Sequence, residues 1–404
     1  MDTYETRAKY NIAETCCDSI SVDQLQALSE IKDVSILPAS KRLDYGEIRG
    51  SSELRQNLAN LYSSKVGTPL SPGNILITQG AISANTLLFY ALVQPGDHVI
   101  CHYPTYQQLY AVPASLGAEV SLWHATPERQ WIPSLDELKS LIKPNTKLIT
   151  INNPNNPTGA ILPKSLLQDL VDLASQHSIT ILSDEVYRPI FHSITPMSPD
   201  FPPSILSLGY ARTIATGSLS KAYSLAGIRI GWLASRSSEI IERVAAARHY
   251  TTLSVSQLDS AVAAFALSPH TVHALLGRNI ALAKANLELL ERFVIKHDDI
   301  CTWAKPLAGT TAFVQFHKEG KPVDDVVLCK RLVEETGVLW VPGCHCFGKG
   351  RDFAGYARIG FACAEDVLKE GLEKVRTWFR KEFDDLPLAE QKNGEGDVKV
   401  SVST

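Results

Sequence analysis

The chain has 404 residues, a formal net charge of −4, a pI near 6.3, 45% hydrophobic and 20% charged residues. That length exceeds one ordinary domain and supports a large core with a second, smaller unit. The weakly acidic balance gives no electrostatic case for nucleic acid or an anionic membrane surface, and no apolar run reaches the roughly 18 residues needed to span a bilayer, so a small-molecule partner is expected.

In chain order, Met1–Tyr10 mixes acids and bases without the apolar core of a signal peptide. Short β-branched runs then alternate with longer amphipathic stretches. Strands are expected at Ile75–Thr78, His98–His102, Glu119–Trp123, Lys147–Asn152, Thr180–Ser183 and Thr213–Thr216. Helices are expected at Ile82–Leu92, Lys164–His177 and Glu239–Ala247. This alternation predicts an α/β fold: a mostly parallel, seven-stranded-type sheet flanked by helices. From about Ser260 the pattern changes to a long helix over Ser260–Phe293. Then come strands at Thr310–Phe316, Gly337–Val341 and Tyr356–Phe361, and helices at Val326–Thr336 and Val367–Glu382, a smaller α+β domain. The expected divisions are 1–44 packing with the small domain, 45–290 as the large domain, 291–385 as the small domain and 386–404 as a disordered, polar tail.

The eight cysteines are scattered. Neither Cys16–Cys17 nor Cys344 and Cys346 have zinc-site spacing with partners, so free thiols, no metal and a cytoplasmic location are expected.

Ligands of open α/β sheets sit outside the carboxyl ends of the strands, so motifs following different strands can meet. Ser218-Leu-Ser220-Lys221 follows one strand, with Gly227-Ile-Arg229-Ile-Gly231 shortly after. Two hydroxyls and a guanidinium suit a phosphate, and the lysine offers an amine to a carbonyl. Alone, such a lysine is more often a surface residue. Asp184-Glu-Val-Tyr187 ends another strand. A buried aspartate there needs a partner, such as a protonated pyridine nitrogen, though a helix N-cap serves Asp equally. Asn152-Asn-Pro-Asn-Asn156-Pro-Thr-Gly159 is too unusual for a plain turn. Gly80-Ala81 sits between a strand and a helix, where backbone N–H groups attract phosphate. Tyr106 could stack on a flat ring or be a packed rim aromatic. Tyr45 precedes a helix containing Arg55. Arg358, on a strand of the small domain, would suit a carboxylate or a structural ion pair.

Together, from about Tyr45 to Phe379, these features resemble the fold-type I, class I/II aminotransferase family. The resemblance implies a pyridoxal 5′-phosphate (PLP) enzyme of the transferase class, a homodimer with a site shared across its interface, acting on an amino acid as its small-molecule substrate. It implies that Lys221 holds the cofactor as a Schiff base and then moves the α-proton, and that Asp184 pairs with the pyridine nitrogen. Tyr187 and Asn156 would contact the ring hydroxyl and Tyr106 would stack on the ring. Ser218, Ser220, Arg229 and the Gly80–Ala81 amides would hold the phosphate, joined by Tyr45 from the neighbouring subunit. Arg358 would grip the substrate α-carboxylate. Desolvated, cationic surroundings are expected to keep Lys221 neutral as a base.

The reaction implied is transfer of the α-amino group of an L-amino acid to a keto acid. Relatives on the same frame carry out elimination, replacement or ring closure. The sequence around Lys41–Tyr45, Tyr106–Tyr110, Leu206–Ser218, Tyr250–Gln257 and Gly343–Gly348 is similar to the capreomycidine-synthase branch. Its members eliminate a β-hydroxyl from a hydroxyarginine and close a ring in secondary metabolism, which makes a lyase or cyclase the alternative. A regulator domain would need an extra basic N-terminal module. Nothing places Arg49, Arg188 or Arg248 against a substrate side chain, and Arg248-His-Tyr250 could equally line the entrance or end a helix.

Overall fold

The structure, a computed structural model, describes residues 3–32, 34–37, 40, 42–63 and 69–390. Its centre is a seven-stranded sheet in the order Ile75–Thr78, Gly231–Ser235, Thr213–Ser218, Thr180–Asp184, Thr146–Asn152, His98–Tyr103, Glu119–His124. The strands His98–Tyr103 and Thr213–Ser218 are buried along their whole length and Thr180–Asp184 from Ile181 onward, as expected of a sheet covered by helices on both faces. Gly231–Ser235, a strand not anticipated, runs antiparallel to both its neighbours, and the remaining pairings are parallel.

Register determines what this sheet presents. Asn152 lies opposite Asp184, and Asp184 opposite Thr216, so the carboxyl ends of three strands form one polar row. Next along, Ser218 pairs with Gly231, which also pairs with Thr78. The helix Gly80–Leu92 starts immediately beyond that last strand, with Ala84, Leu87 and Leu88 buried.

The second unit is an antiparallel sheet around Thr311–Lys318, which pairs with Cys301–Trp303, Lys321–Pro322 and Tyr356–Gly360. Arg358 lies opposite both Phe313 and Val341 in it. The helices Asp325–Thr336 and Glu365–Glu382 bury Leu328 and Leu332, and Leu368, Leu372 and Val375, respectively. The N-terminal strand Tyr10–Asn11 pairs in parallel with Val338–Leu339.

Three expectations are corrected. The single helix over Ser260–Phe293 is two, Gln257–Ala266 and Val272–Ile295. Pro269 lies between them; it lacks an N–H and pushes the residue before it away from helical geometry. The strand Gly337–Val341 is likewise two short strands, Val338–Leu339 and Val341–Pro342, which pair with different partners on either side of buried Trp340. The polar tail begins later than position 386. Leu386 is buried, Leu388 bridges Val323 and the Ala389 amide bonds to the Pro322 carbonyl. The rest of that tail, 391–404, lies outside the described residues, as do Lys41 and Met1.

Candidate active site

The polar row opens into a cavity of about 470 Å³ lined by residues of both sheets and of the N-terminal segment, among them Glu14, Cys16, Asp184, Lys221, Arg229 and Arg358. The structure brings together Ala81, Tyr106, Asn156, Asp184, Tyr187, Ser218, Ser220, Lys221, Arg229 and Arg358 around it.

Asp184 is nearly inaccessible. Asn85 Nδ2 donates to its Oδ2 at 3.1 Å and the Val186 amide to its Oδ1 at 3.2 Å. Burial pushes its carboxyl up to about 6, against the pull of those two hydrogen bonds. Its backbone carbonyl accepts from Asn152 Nδ2 and the Asn153 amide, which ties the asparagine loop to the strand end. No helix follows Asp184, so the N-cap alternative is not realised; the bond to the Val186 amide closes a turn.

Asn85 was not anticipated. It also donates to Gln108 Oε1, and its own Oδ1 accepts from Thr216 Oγ1 at 2.8 Å. A lone amide on an otherwise apolar buried helix face was the available signal, because buried amides require partners.

Arg358 Nη2 donates to the Ala13 carbonyl at 2.7 Å and Nη1 to Asn156 Oδ1 at 3.2 Å, while its buried Nε has no partner. Its guanidinium lies over the Phe347 ring at 5.5 Å. No carboxylate forms an ion pair with it among the described residues. Burial pulls its pKa down, as expected of a cation awaiting an anion. By engaging Asn156 Oδ1, it turns the amide Nδ2 outward as a donor.

The phosphate candidates converge where the second and third strands of the sheet meet the helix start. Arg229, exposed and in left-handed backbone geometry, donates to Ser220 Oγ at 3.3 Å and to the Ala226 carbonyl at 2.9 Å. Gln79, at the helix N-cap, makes no side-chain cap, so the first N–H groups of Gly80–Leu92 are not capped by it. A Cβ on Gly80 would lie 2.7 Å from Arg229 Nη2, and one on Gly231 would lie 2.3 Å from the Gly80 carbonyl carbon. Hydroxyls, guanidinium, helix amides and a close backbone make a cradle for a phosphate.

Lys221 departs from expectation. Burial alone would pull its ammonium down, but Tyr187, Cys16 and Glu14 raise it and prevail, with Arg358 opposing. The phenol, thiol and carboxylate that face the amine outweigh its desolvation, so the surroundings favour the charged form rather than the neutral one. Tyr106 stands at the cavity rim, 39% exposed. Tyr45 is elsewhere: 80% exposed, in a surface groove beside Val255 and Gln257.

Of the remaining arginines, Arg49 forms a bidentate pair with Glu242, and Arg188 donates to the Pro202 carbonyl. Arg248 ends the helix Ser238–Arg248, fully buried with its guanidinium unpartnered. None lines the cavity. His345 is exposed, on the short helix Gly343–Cys346. Among the described residues no cluster of His, Cys, Asp and Glu could hold a metal, and no helix is long and apolar enough to cross a membrane.

A lysine, a buried aspartate, two serines with a guanidinium beside a helix start, and a buried arginine that no carboxylate pairs among the described residues line one cavity, and the residues present fit the chemistry of PLP. Residues 17–375 match the family of class I and II aminotransferases. The chain is 32% identical to capreomycidine synthase of Streptomyces vinaceus over 75% of this chain and 74% of that one. It is 30% identical to an aspartate aminotransferase of Thermotoga maritima, over 82% of each. A PLP-dependent aminotransferase of Streptococcus suis superposes with a TM-score of 0.84 at 38% identity, over 94% of this chain and 96% of that one. The chain belongs to the class I and II aminotransferases and is a PLP-dependent transferase.

Proposed function

We propose that the enzyme transfers the α-amino group of an L-amino acid to a keto acid, with the residue roles that follow. The observation that carries the proposal is Lys221 and Asp184 in one cavity with a buried arginine that lacks an anion. PLP, when bound, supplies the electron sink that makes the substrate α-carbon acidic. Lys221 would hold the cofactor through its amine, and the same amine would move the substrate α-proton. Asp184 faces the ring nitrogen, where its buried charge finds a cation. Tyr187 and Asn156 face the ring hydroxyl and Tyr106 covers the ring. Ser218, Ser220, Arg229 and the amides of Gly80 and Ala81 hold the phosphate. Arg358 grips the α-carboxylate and so selects which bond at the α-carbon is broken.

The active species is a homodimer in which Tyr45 reaches the neighbouring site; its exposure and its distance from the cavity of its own chain support this. Eight cysteines, none of them in a disulfide among the described residues, support a reducing, cytoplasmic setting. The second reading is an eliminating lyase or cyclase of secondary metabolism, supported by the likeness to capreomycidine synthase.

Amino acids incubated with and without a keto-acid acceptor separate the two. Turnover that requires the acceptor is expected. Acceptor-independent release of ammonia or water, or a cyclic product, assigns the second reading.

A further inference from the structure

Two titratable side chains of the cavity, Glu14 and Cys16, have no part in the roles above, and both come from the N-terminal segment. Lys221 Nζ lies 3.6 Å from Cys16 Sγ, and Cys16 Sγ lies 3.8 Å from Glu14 Oε2. The hydrogen bonds run in one direction: amine to thiol, thiol to carboxylate.

Main-chain bonds fix the three groups together. The Cys17 amide donates to the Lys221 carbonyl at 3.1 Å, the Asp18 amide to Ala362 at 2.8 Å and the Gly360 amide to Ile12 at 2.8 Å. Thr310 Oγ1 donates to the Thr15 carbonyl at 2.7 Å. At Gly360 a Cβ would lie 1.7 Å from the Glu14 carbonyl oxygen, so the strand carrying Arg358 admits this segment only because that position is glycine.

We infer that Cys16 and Glu14 are positioning residues for Lys221: the thiol accepts an N–H from the amine and donates its own S–H to the carboxylate, and together they hold the ammonium formed when Lys221 takes the substrate α-proton. The inference rests on the reading of Lys221 as that base. In the step, the α-carbon–hydrogen bond breaks and an Nζ–H bond forms. The electron pair stays with the carbon, and nothing is oxidised or reduced. No proton passes on to the thiol or carboxylate, which act by hydrogen bonding and charge.

The titratable and charged groups facing Lys221 are Tyr187, Cys16, Glu14, Arg358, Asp184 and Tyr106. Burial, the largest influence on the Cys16 thiol, raises its pKa despite the opposing pull of Lys221. The thiol therefore stays neutral and can accept and donate at once; a thiolate would have no proton for Glu14. A stronger base is obtained in exchange for a smaller neutral fraction at a given pH.

The test compares Glu14→Gln, Cys16→Ala, Cys16→Ser and the Glu14→Gln/Cys16→Ala double variant in the full-length holoenzyme, with Lys221→Ala as control. Glu14→Gln is expected to lower the plateau kcat by about tenfold and to move the rising limb of the kcat–pH profile down by about one unit. Cys16→Ala should do the same, the double variant should lose no more than either single one, and Cys16→Ser should restore most of the loss. In the cofactor-free protein, the pH at which PLP is taken up, read from the absorbance of bound cofactor, should fall by a similar amount in Glu14→Gln. A rise in KM alone for Glu14→Gln assigns Glu14 to the substrate side chain and overturns the inference. So do wild-type profiles in both Cys16 variants, or additive losses in the double. Turnover surviving in Lys221→Ala instead removes the reading of Lys221 as the base.

Discussion

Asp184 shows what the site costs its own fold. Its carboxyl stands at about 6 in the folded protein, above the ordinary value of 3.8, because burial outweighs its two hydrogen bonds. Between pH 4 and 6 the folded state therefore holds a proton that the unfolded chain has released. The stability of the cofactor-free protein should fall as pH rises through that window, by about 3 kcal/mol from this residue alone. Asp184→Asn should remove that part of the slope, so the stability difference between variant and parent changes across pH 4–6 and is flat above it. Denaturant titrations of the cofactor-free proteins at pH 4, 5, 6 and 7 measure this; parallel curves would mean that Asp184 does not titrate there. A pairing cation at the ring nitrogen relieves the same penalty, so loading with cofactor should flatten the parent curve.

Asp184 and Arg358 were legible because each is a charge on a buried strand, where an unpaired charge is expensive, and Lys221 and Arg229 because serines and glycines frame them just beyond a strand end. Asn85, Cys16 and Glu14 were not, because an amide, a thiol and a carboxylate in ordinary-looking segments gain meaning only from what a distant strand brings within reach. The sign of the Lys221 shift was missed for the same reason. Its sequence neighbours are serines, while the groups that raise its pKa come from the N-terminal segment and from Tyr187.

The element scale explains the glycines. Read in sequence, Gly227-Ile-Arg229-Ile-Gly231 is a phosphate-loop phrase, but its two glycines do different work. Gly231 begins a strand whose backbone abuts the start of the helix Gly80–Leu92: a Cβ there would lie 2.3 Å from the Gly80 carbonyl carbon and 2.5 Å from the Ala81 amide nitrogen. Gly227 is exposed, with nothing within 4 Å of a Cβ. Gly231→Ala should push the helix start off the sheet, costing about 3 kcal/mol and weakening cofactor binding by at least about tenfold, and Gly227→Ala should match the parent. Thermal unfolding and cofactor retention on dialysis provide both readouts; equal behaviour of the two variants would show that the close approach is not limiting. Element types followed readily from periodicity, since buried parallel strands read as β-branched runs. The strand break at Trp340 did not, because a continuous apolar run crosses a change of partner there, whereas the helix break carries its own signal in Ser268-Pro269-His270-Thr271.

At the scale of the whole molecule, the exposed Tyr45 separates a self-sufficient chain from a shared site. A tyrosine 80% exposed and remote from the cavity of its own chain contributes little to the monomer fold, so Tyr45→Ala should leave the chain folded. If its hydroxyl donates to a phosphate held by the neighbouring subunit, the variant should bind cofactor about tenfold more weakly, the usual worth of one hydrogen bond to a charged group. Lys221→Ala should be inactive for a different reason and should retain Tyr45. Mixing the two variants under conditions that let subunits exchange then makes a specific prediction. In a two-fold symmetric pair, each hybrid has one site with both defects and one with neither. With random exchange half the dimers are hybrids, so at a cofactor concentration that leaves Tyr45→Ala nearly empty, activity should rise to about a quarter of the parent value, above the average of the two separate variants. Recovery requires that Tyr45 and Lys221 act on the same cofactor from different chains. Activity fixed at the average of the two, with exchange verified by mass-tagged subunits, would place Tyr45 outside the neighbour's site and leave each chain to complete its own.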